Sequence, residues 1–92
     1  MHAEAPRSVA DLAADPDWVV TRTATTGQWL TAERTLERDG HHRLLGLTPI
    51  RPGIVALMLW SGGDVVQHFR GDEATACATA LRWVAEFLTG DR

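Results

Sequence analysis

The side chains with catalytic potential are few, and their spacing does not assemble a nucleophilic site. Cys77 is the only cysteine, and no cationic residue stands beside it. A reactive thiol needs such a neighbour to lower its pKa, so Cys77 is predicted to be a core residue. Ser61, Asp64 and His68 would form a nucleophile with its acid and base only if the fold brought them together. We therefore expect no enzymatic activity.

The patterns that hold metals or phosphates are also missing. His41 and His42 are adjacent, so on a strand they point to opposite faces. The chain has no G-x-G-x-x-G run, and without lysine it cannot form G-x-x-x-x-G-K-[ST]. Gly62-Gly63 lies between two predicted strands and reads as a turn. The sequence predicts no metal and no cofactor.

Arginine and tryptophan give the strongest binding signal. Four arginines stand between residues 34 and 51, and Trp29 opens the same predicted strand pair. A charged groove with an aromatic platform is the usual design of single-strand nucleic-acid binders, although Glu33, Glu37 and Asp39 weaken the local field. The interaction residues of this hypothesis are Trp29, Arg34, Arg38, His41, Arg43 and Arg51.

Charge and composition favour protein partners instead. The net charge of −3 and the pI near 5.7 disfavour nucleic acid, which stays the alternative. Hydrophobic residues make up 45% and charged residues 23%, as in ordinary globular proteins. The absence of lysine, asparagine and tyrosine is typical of codon bias in a GC-rich bacterial genome.

Three observations place the protein in the cytoplasm. No apolar run reaches the roughly 18 residues of a membrane-spanning helix. The N-terminus lacks the basic start and apolar block of a signal peptide. One cysteine cannot form an internal disulfide. We expect a cytoplasmic protein that does not enter membranes.

Ninety-two residues make one domain. Residues 1–7 have no periodicity and are predicted to be disordered, while residues 8–92 form a single α+β domain. A short helix of two turns begins after Ser8 and ends before Pro16. Residues 18–24 are rich in β-branched side chains and predict a strand, which a turn at residues 25–27 follows.

Residues 31–39 are compatible with either a helix or a strand. Glu33 and Glu37 would be like charges four residues apart on a helix, which is unfavourable. Asp39-Gly40 is a strong signal for a type I′ hairpin, and it would place Arg38 opposite His41. We therefore prefer the hairpin and keep the helix as the alternative.

The second half of the chain predicts a hairpin and a long helix. Residues 54–60 are apolar at every position, which is typical of a strand covered on both faces. Residues 65–70 form its return strand after a tight turn. A helix then runs from Asp72 to Thr89 and stops at Gly90. Its apolar stripe is predicted to be Cys77, Leu81, Val84 and Leu88, widened by Ala76, Ala80, Trp83 and Phe87.

The predicted architecture is a short N-terminal helix, an antiparallel meander of four to five strands, and a long C-terminal helix packed on one face. One helix covers one face of the sheet only, so the other face would expose an apolar patch. The chain is therefore predicted to be a non-enzymatic interaction module, a homodimer in an adaptor or regulatory role; the same face could instead receive another protein or a small apolar ligand. The residues assigned to this face are Val55, Leu57, Met58 and Leu59.

Overall fold

The fold is a five-stranded antiparallel sheet with one helix packed on it. The structure is a computed structural model that describes residues 5–22 and 30–90. The strand order β1-β2-β3-β4-β5 follows the chain, so the sheet is a meander and the predicted α+β class is confirmed. The elements are a 3₁₀ turn (Ala10–Ala14), β1 (Val19–Arg22), β2 (Leu30–Arg38), β3 (His41–Arg51), β4 (Ile54–Ser61), β5 (Asp64–Asp72) and α1 (Glu73–Thr89).

The N-terminal element is a 3₁₀ turn and not the predicted helix of two turns. The Ser8 hydroxyl accepts a hydrogen bond from the Asp11 amide at 3.1 Å, as a capping residue does. Five residues before a proline are too few to propagate an α-helix. Tertiary contacts hold the turn instead, because Leu12 is buried and the Val9 amide donates to the Glu73 carboxylate at 2.6 Å.

The hairpin between β2 and β3 is the one that Asp39-Gly40 predicts. Both residues have positive φ, 52° and 82°, as a type I′ turn requires. The turn sets the register, in which Arg38 pairs with His41 and Leu36 with Arg43. Residues 31–38 are therefore strand, and the helical alternative is wrong.

Residues 48–53 contain two prolines and Gly53, which predict a loop, but strand β3 continues through the first four of them. It runs to Arg51, and Pro49 pairs with Val55 of β4. The pairing between β2 and β3 ends at Ala32 and Leu47. Pro49 has no amide hydrogen to donate to a neighbouring strand. It lies beyond Leu47, the last residue of β3 that pairs with β2, so β2 loses no hydrogen bond there.

The hydrophobic core lies between α1 and one face of the sheet. Alternate residues of β2, β3 and β4 point toward the helix and are buried. These residues are Ala32, Leu36, Leu45, Leu47, Val55, Leu57 and Leu59. The helix contributes small side chains and one large one to the same core, namely Ala76, Cys77, Ala80, Trp83 and Val84.

The buried face of α1 is narrower than the predicted stripe and is centred on its small residues. Ala76, Cys77, Ala80, Trp83 and Val84 are buried as predicted, but Leu88 is 45% exposed and Leu81 and Phe87 are half-buried. Thr79 lies outside the predicted stripe but is buried, and its hydroxyl donates to the Thr75 carbonyl at 2.8 Å, which removes the cost of burying it. Small residues line the contact because they let the helix approach the sheet closely.

The two ends of α1 lie where the sequence predicts them. Asp72 caps the first turn by accepting from both the amide and the hydroxyl of Thr75 at 2.9 Å, and these bonds lower its pKa. Because the pKa of Asp72 is lower in the folded protein than its ordinary value, the cap stabilises the fold at any pH above that ordinary value. This contribution is lost as the pH falls below about 4. Gly90 has φ 80° and ends the helix.

The register of the sheet depends on the conformation of the β2–β3 turn. Gly40→Ala should destabilise the protein by about 1 kcal/mol or more, because alanine strains at positive φ. Gly63→Ala is the matched control, since Gly63 lies in the other tight hairpin without positive φ, and a Cβ meets no atom within 4 Å at either glycine. Denaturant unfolding measures both variants, and equal stabilities would contradict the assigned turn.

The close approach of α1 to the sheet depends on its small residues. Ala80→Leu should destabilise the fold by about 1–3 kcal/mol, because Ala80 is fully buried and the core has no room for three more carbons. Ala85→Leu adds the same atoms on the exposed side of the same helix and should change little. Thermal melts compare the two, and a neutral Ala80→Leu would mean that the helix is not held close.

Candidate interaction surfaces

The face of the sheet opposite α1 is uncovered by any other part of the chain that the structure describes. We call it the open face. Two cross-strand rows run over its centre: Leu44, Trp60 and Val65 in one, and Gly46, Met58 and His68 in the next. Leu44 and Val65 are 37% and 42% exposed. The middle of this face is thus apolar, as the sequence predicts for one side of β4.

Three of the four residues first assigned to this face lie on the other one. Val55, Leu57 and Leu59 are at most 6% exposed because α1 packs on them. Met58 belongs to the open face and is half-buried among its neighbours. Since β4 is apolar at every position, the pattern alone does not say which parity the helix covers, and this correction follows from the packing.

Trp60 is the largest residue on the open face. Trp18, Trp60 and Trp83 all lie in elements that the sequence predicts to form the core, and Trp18 and Trp83 are buried at 4% and 6% exposure. Trp60 is only half-buried, because its position in β4 directs it away from α1. Beside it, the missing side chain of Gly46 leaves a hollow of about 260 Å³ between Met58 and Glu33.

The two flanks of the open face carry opposite charges. Glu33 and Glu37 of β2 are exposed on one side of the apolar rows. His68 and Arg70 of β5 are exposed on the other side. Glu33 lies in the same cross-strand row as Gly46, Met58 and His68, and Val19 of β1 continues this row beyond Glu33. The face is acidic at one flank and basic at the other.

The arginines predicted to form one basic surface have different environments. Arg34 has a side chain that is only 15% exposed and lies 3.9 Å from the Asp15 carboxylate and 3.5 Å from that of Asp17. It joins β2 to the segment after the 3₁₀ turn, so it does not belong to a free basic surface. Arg51 stands ten residues along β3 from His41, roughly 33 Å away at the usual rise of a strand. Trp29 lies outside the described residues.

The other three predicted contact residues do come together. Arg38, His41 and Arg43 line a groove of about 410 Å³ with Trp83 and Phe87 of α1. The Arg43 guanidinium carbon lies 5.5 Å from the centre of the Phe87 ring, which is a cation–π distance. The sequence predicts Trp29 as the aromatic platform beside these cations. In the structure the aromatic rings beside Arg38, His41 and Arg43 belong to Trp83 and Phe87 of α1.

The residues considered for nucleophilic chemistry do not assemble. Ser61 pairs with Asp64 at the end of the β4–β5 hairpin, while His68 pairs with Met58, three residues or about 10 Å along the strand. Cys77 is fully buried, and burial together with the charge of Glu73 raises its pKa to about 11. This thiol is a core group.

Neither a metal-binding cluster nor a membrane-spanning helix is found in the part of the chain that the structure describes. Within residues 5–22 and 30–90, no three histidine, cysteine or acidic side chains are grouped so that they could hold a metal ion. No helix of this part of the chain is long and apolar enough to cross a membrane. Protein-family models, curated proteins and solved structures were compared with the chain, and none matches. Function has to be inferred from the two surfaces.

Burial of Cys77 has a direct chemical consequence. With the pKa raised from 9.0 to about 11, the thiolate fraction at pH 8 falls about 100-fold, and burial blocks access as well. A disulfide reagent such as dithionitrobenzoate should react at least about 100-fold more slowly with the native protein than with the protein unfolded in guanidinium. Equal rates in both states would place Cys77 outside the core.

Proposed function

We propose that this chain is a non-enzymatic interaction module, adaptor or regulatory in role, that pairs with a second copy through the open face. The observation that carries the proposal is the apolar centre of that face, formed by Leu44, Met58, Trp60 and Val65. Soluble monomers rarely leave a large apolar patch uncovered. A symmetric dimer that stacks the two sheets would bury it.

A two-fold axis parallel to the strands, placed between β3 and β4, gives the best fit of shape. This operation lays β3 of one copy over β4 of the other. The hollow at Gly46 then faces the partner's Met58, and Leu44 faces the partner's Trp60. By symmetry the Met58 side chain of each copy enters the Gly46 hollow of the other, as close packing of two sheets favours.

The charges of the two flanks favour the same axis. It lays β2 over the partner's β5, so Glu33 approaches the partner's His68 and the neighbouring Arg70. A two-fold axis perpendicular to the strands would instead lay β2 on β2 and bring acidic side chains together. Complementary charges select one arrangement over another even when they add little affinity.

The exposed apolar side chains of the open face support a missing partner. Leu44 and Val65 are 37% and 42% exposed, and pairing would remove both from water. Pairing in the cytoplasm is part of the proposal, since a chain with one cysteine depends on no disulfide.

Light scattering after size exclusion at tens of micromolar tests the pairing. The expected mass is twice 10.1 kDa, about 20 kDa. Met58→Asp places a charge at the centre of the stacked sheets and should raise the dissociation constant at least about tenfold. Leu88→Asp is the matched control, because Leu88 is an exposed apolar residue of α1, away from the open face.

Two outcomes would overturn the proposal. A mass of 10.1 kDa at about 100 μM, where even weak pairs form, would leave the open face to a different protein or a small ligand. Equal loss of pairing in Met58→Asp and Leu88→Asp would place the interface elsewhere. The axis is tested by Arg70→Glu, which should weaken the pair, and by addition of Glu33→Arg, which should restore it.

The alternative function, single-strand nucleic-acid binding, has weaker support. Arg38 and Arg43 beside Trp83 and Phe87 agree with it. Two observations weigh against it. Arg34 is paired with the carboxylates of Asp15 and Asp17, and the net charge of the chain is −3. Two guanidinium groups do not form the charged track that a strand of several nucleotides needs.

A further inference from the structure

The groove at the tip of the β2–β3 hairpin is a second site, separate from the open face. We propose that it binds a small organic anion with an apolar body, an aromatic carboxylate or phosphate. The groove lies on the α1 side of the sheet, while pairing of two copies uses the opposite side. Failure of one proposal therefore leaves the other standing, and each has its own measurement.

The hairpin register gathers the cationic groups. Arg38 pairs directly with His41, and Arg43 is two residues further along β3, on the same face. Diagonal neighbours of this kind stand about 7–8 Å apart at the backbone, within reach of two long side chains that converge on one group. Guanidinium groups match carboxylate and phosphate oxygens in pairs of parallel hydrogen bonds.

These cations have little internal compensation. Arg38 approaches the Asp39 carboxylate at 3.7 Å, but both side chains are exposed, so this ion pair is weak and easily exchanged. Arg43 donates one hydrogen bond to the His42 carbonyl at 2.9 Å and, among the described residues, has no carboxylate partner. Among residues 5–22 and 30–90, no acidic side chain lines the groove.

The end of α1 is a further negative feature beside the groove. Its last carbonyls carry about half a negative charge, and the Arg38 guanidinium lies against Gly90, where the helix ends. Arg38 offsets that partial charge with a full positive one. Arg43 adds a second, and the groove keeps a positive potential that an anion would neutralise.

Apart from Gln67, the rest of the lining is apolar. Trp83 and Leu59 are each only 6% exposed, and Phe87 packs on the core. Val66 joins them because the irregular register beside Leu59 and Trp60 leaves it as an extra residue of β5. A volume of about 410 Å³ is within the range of small-molecule sites. Such a wall accepts a ring, while the arginines hold its anionic group.

Nuclear magnetic resonance titration with 2-naphthoate tests the site. We expect saturable shifts of the Trp83 indole and the Gln67 side-chain amide, with a dissociation constant below about 1 mM. Neutral 2-naphthylmethanol and inorganic phosphate should each bind at least about tenfold more weakly, because each keeps only half of the recognised chemistry. Raising the salt from about 50 mM to about 500 mM should weaken naphthoate binding several-fold in the wild-type protein.

Variants locate the anion contact. Arg38→Gln with Arg43→Gln should raise the dissociation constant of naphthoate at least about tenfold. Arg51→Gln is the matched control and should leave it unchanged, because Arg51 is exposed, lies at the far end of β3 from His41 and does not line the groove. The salt dependence of the wild-type protein stays decisive if the double variant does not fold.

Several results would overturn this inference. They are no saturation at about 5 mM naphthoate, equal binding of the neutral alcohol, equal binding of inorganic phosphate, or the same loss in Arg51→Gln. A twelve-residue oligothymidylate that displaces naphthoate at micromolar concentration, with a steep salt dependence, would assign the groove to nucleic acid instead.

Discussion

One helix can cover only one face of a five-stranded sheet, and most features of this protein follow from that constraint. The 17 residues of α1 bury the inward residues of β2, β3 and β4. The outward residues of β4 are nearly as apolar, but nothing within the described chain covers them. The core and the open face are two sides of one strand, so the forces that build the fold also create the surface proposed for pairing.

The contact between α1 and the sheet shows why the helix lies where it does. Ala76, Cys77 and Ala80 are fully buried, whereas Leu88 is largely exposed. Small residues let the helix axis come close, so the larger Trp83 can fill the space toward the hairpin tip. The same arrangement makes Cys77 inert and places two aromatic rings beside the arginines of the hairpin.

Arginines that are neighbours on one strand have different roles because distance along the strand decides what they meet. Arg34 lies beside the acidic segment after the 3₁₀ turn and serves to attach it. Arg38 lies four residues further, where α1 ends, and shares a groove with Arg43. A local cluster of like charges in a sequence therefore does not define one surface.

Structural features that depend only on neighbours along the chain are predictable from the sequence. The Asp39-Gly40 turn set the register of β2 and β3, and Asp72 and Gly90 set the ends of α1, because turn and cap chemistry acts over a few residues. The side of β4 that the helix covers follows from the tertiary structure and not from the sequence, since the residues on both sides of this strand are apolar. The tertiary structure also decided that the N-terminal segment is a 3₁₀ turn held by Glu73, because that contact joins residues far apart in sequence.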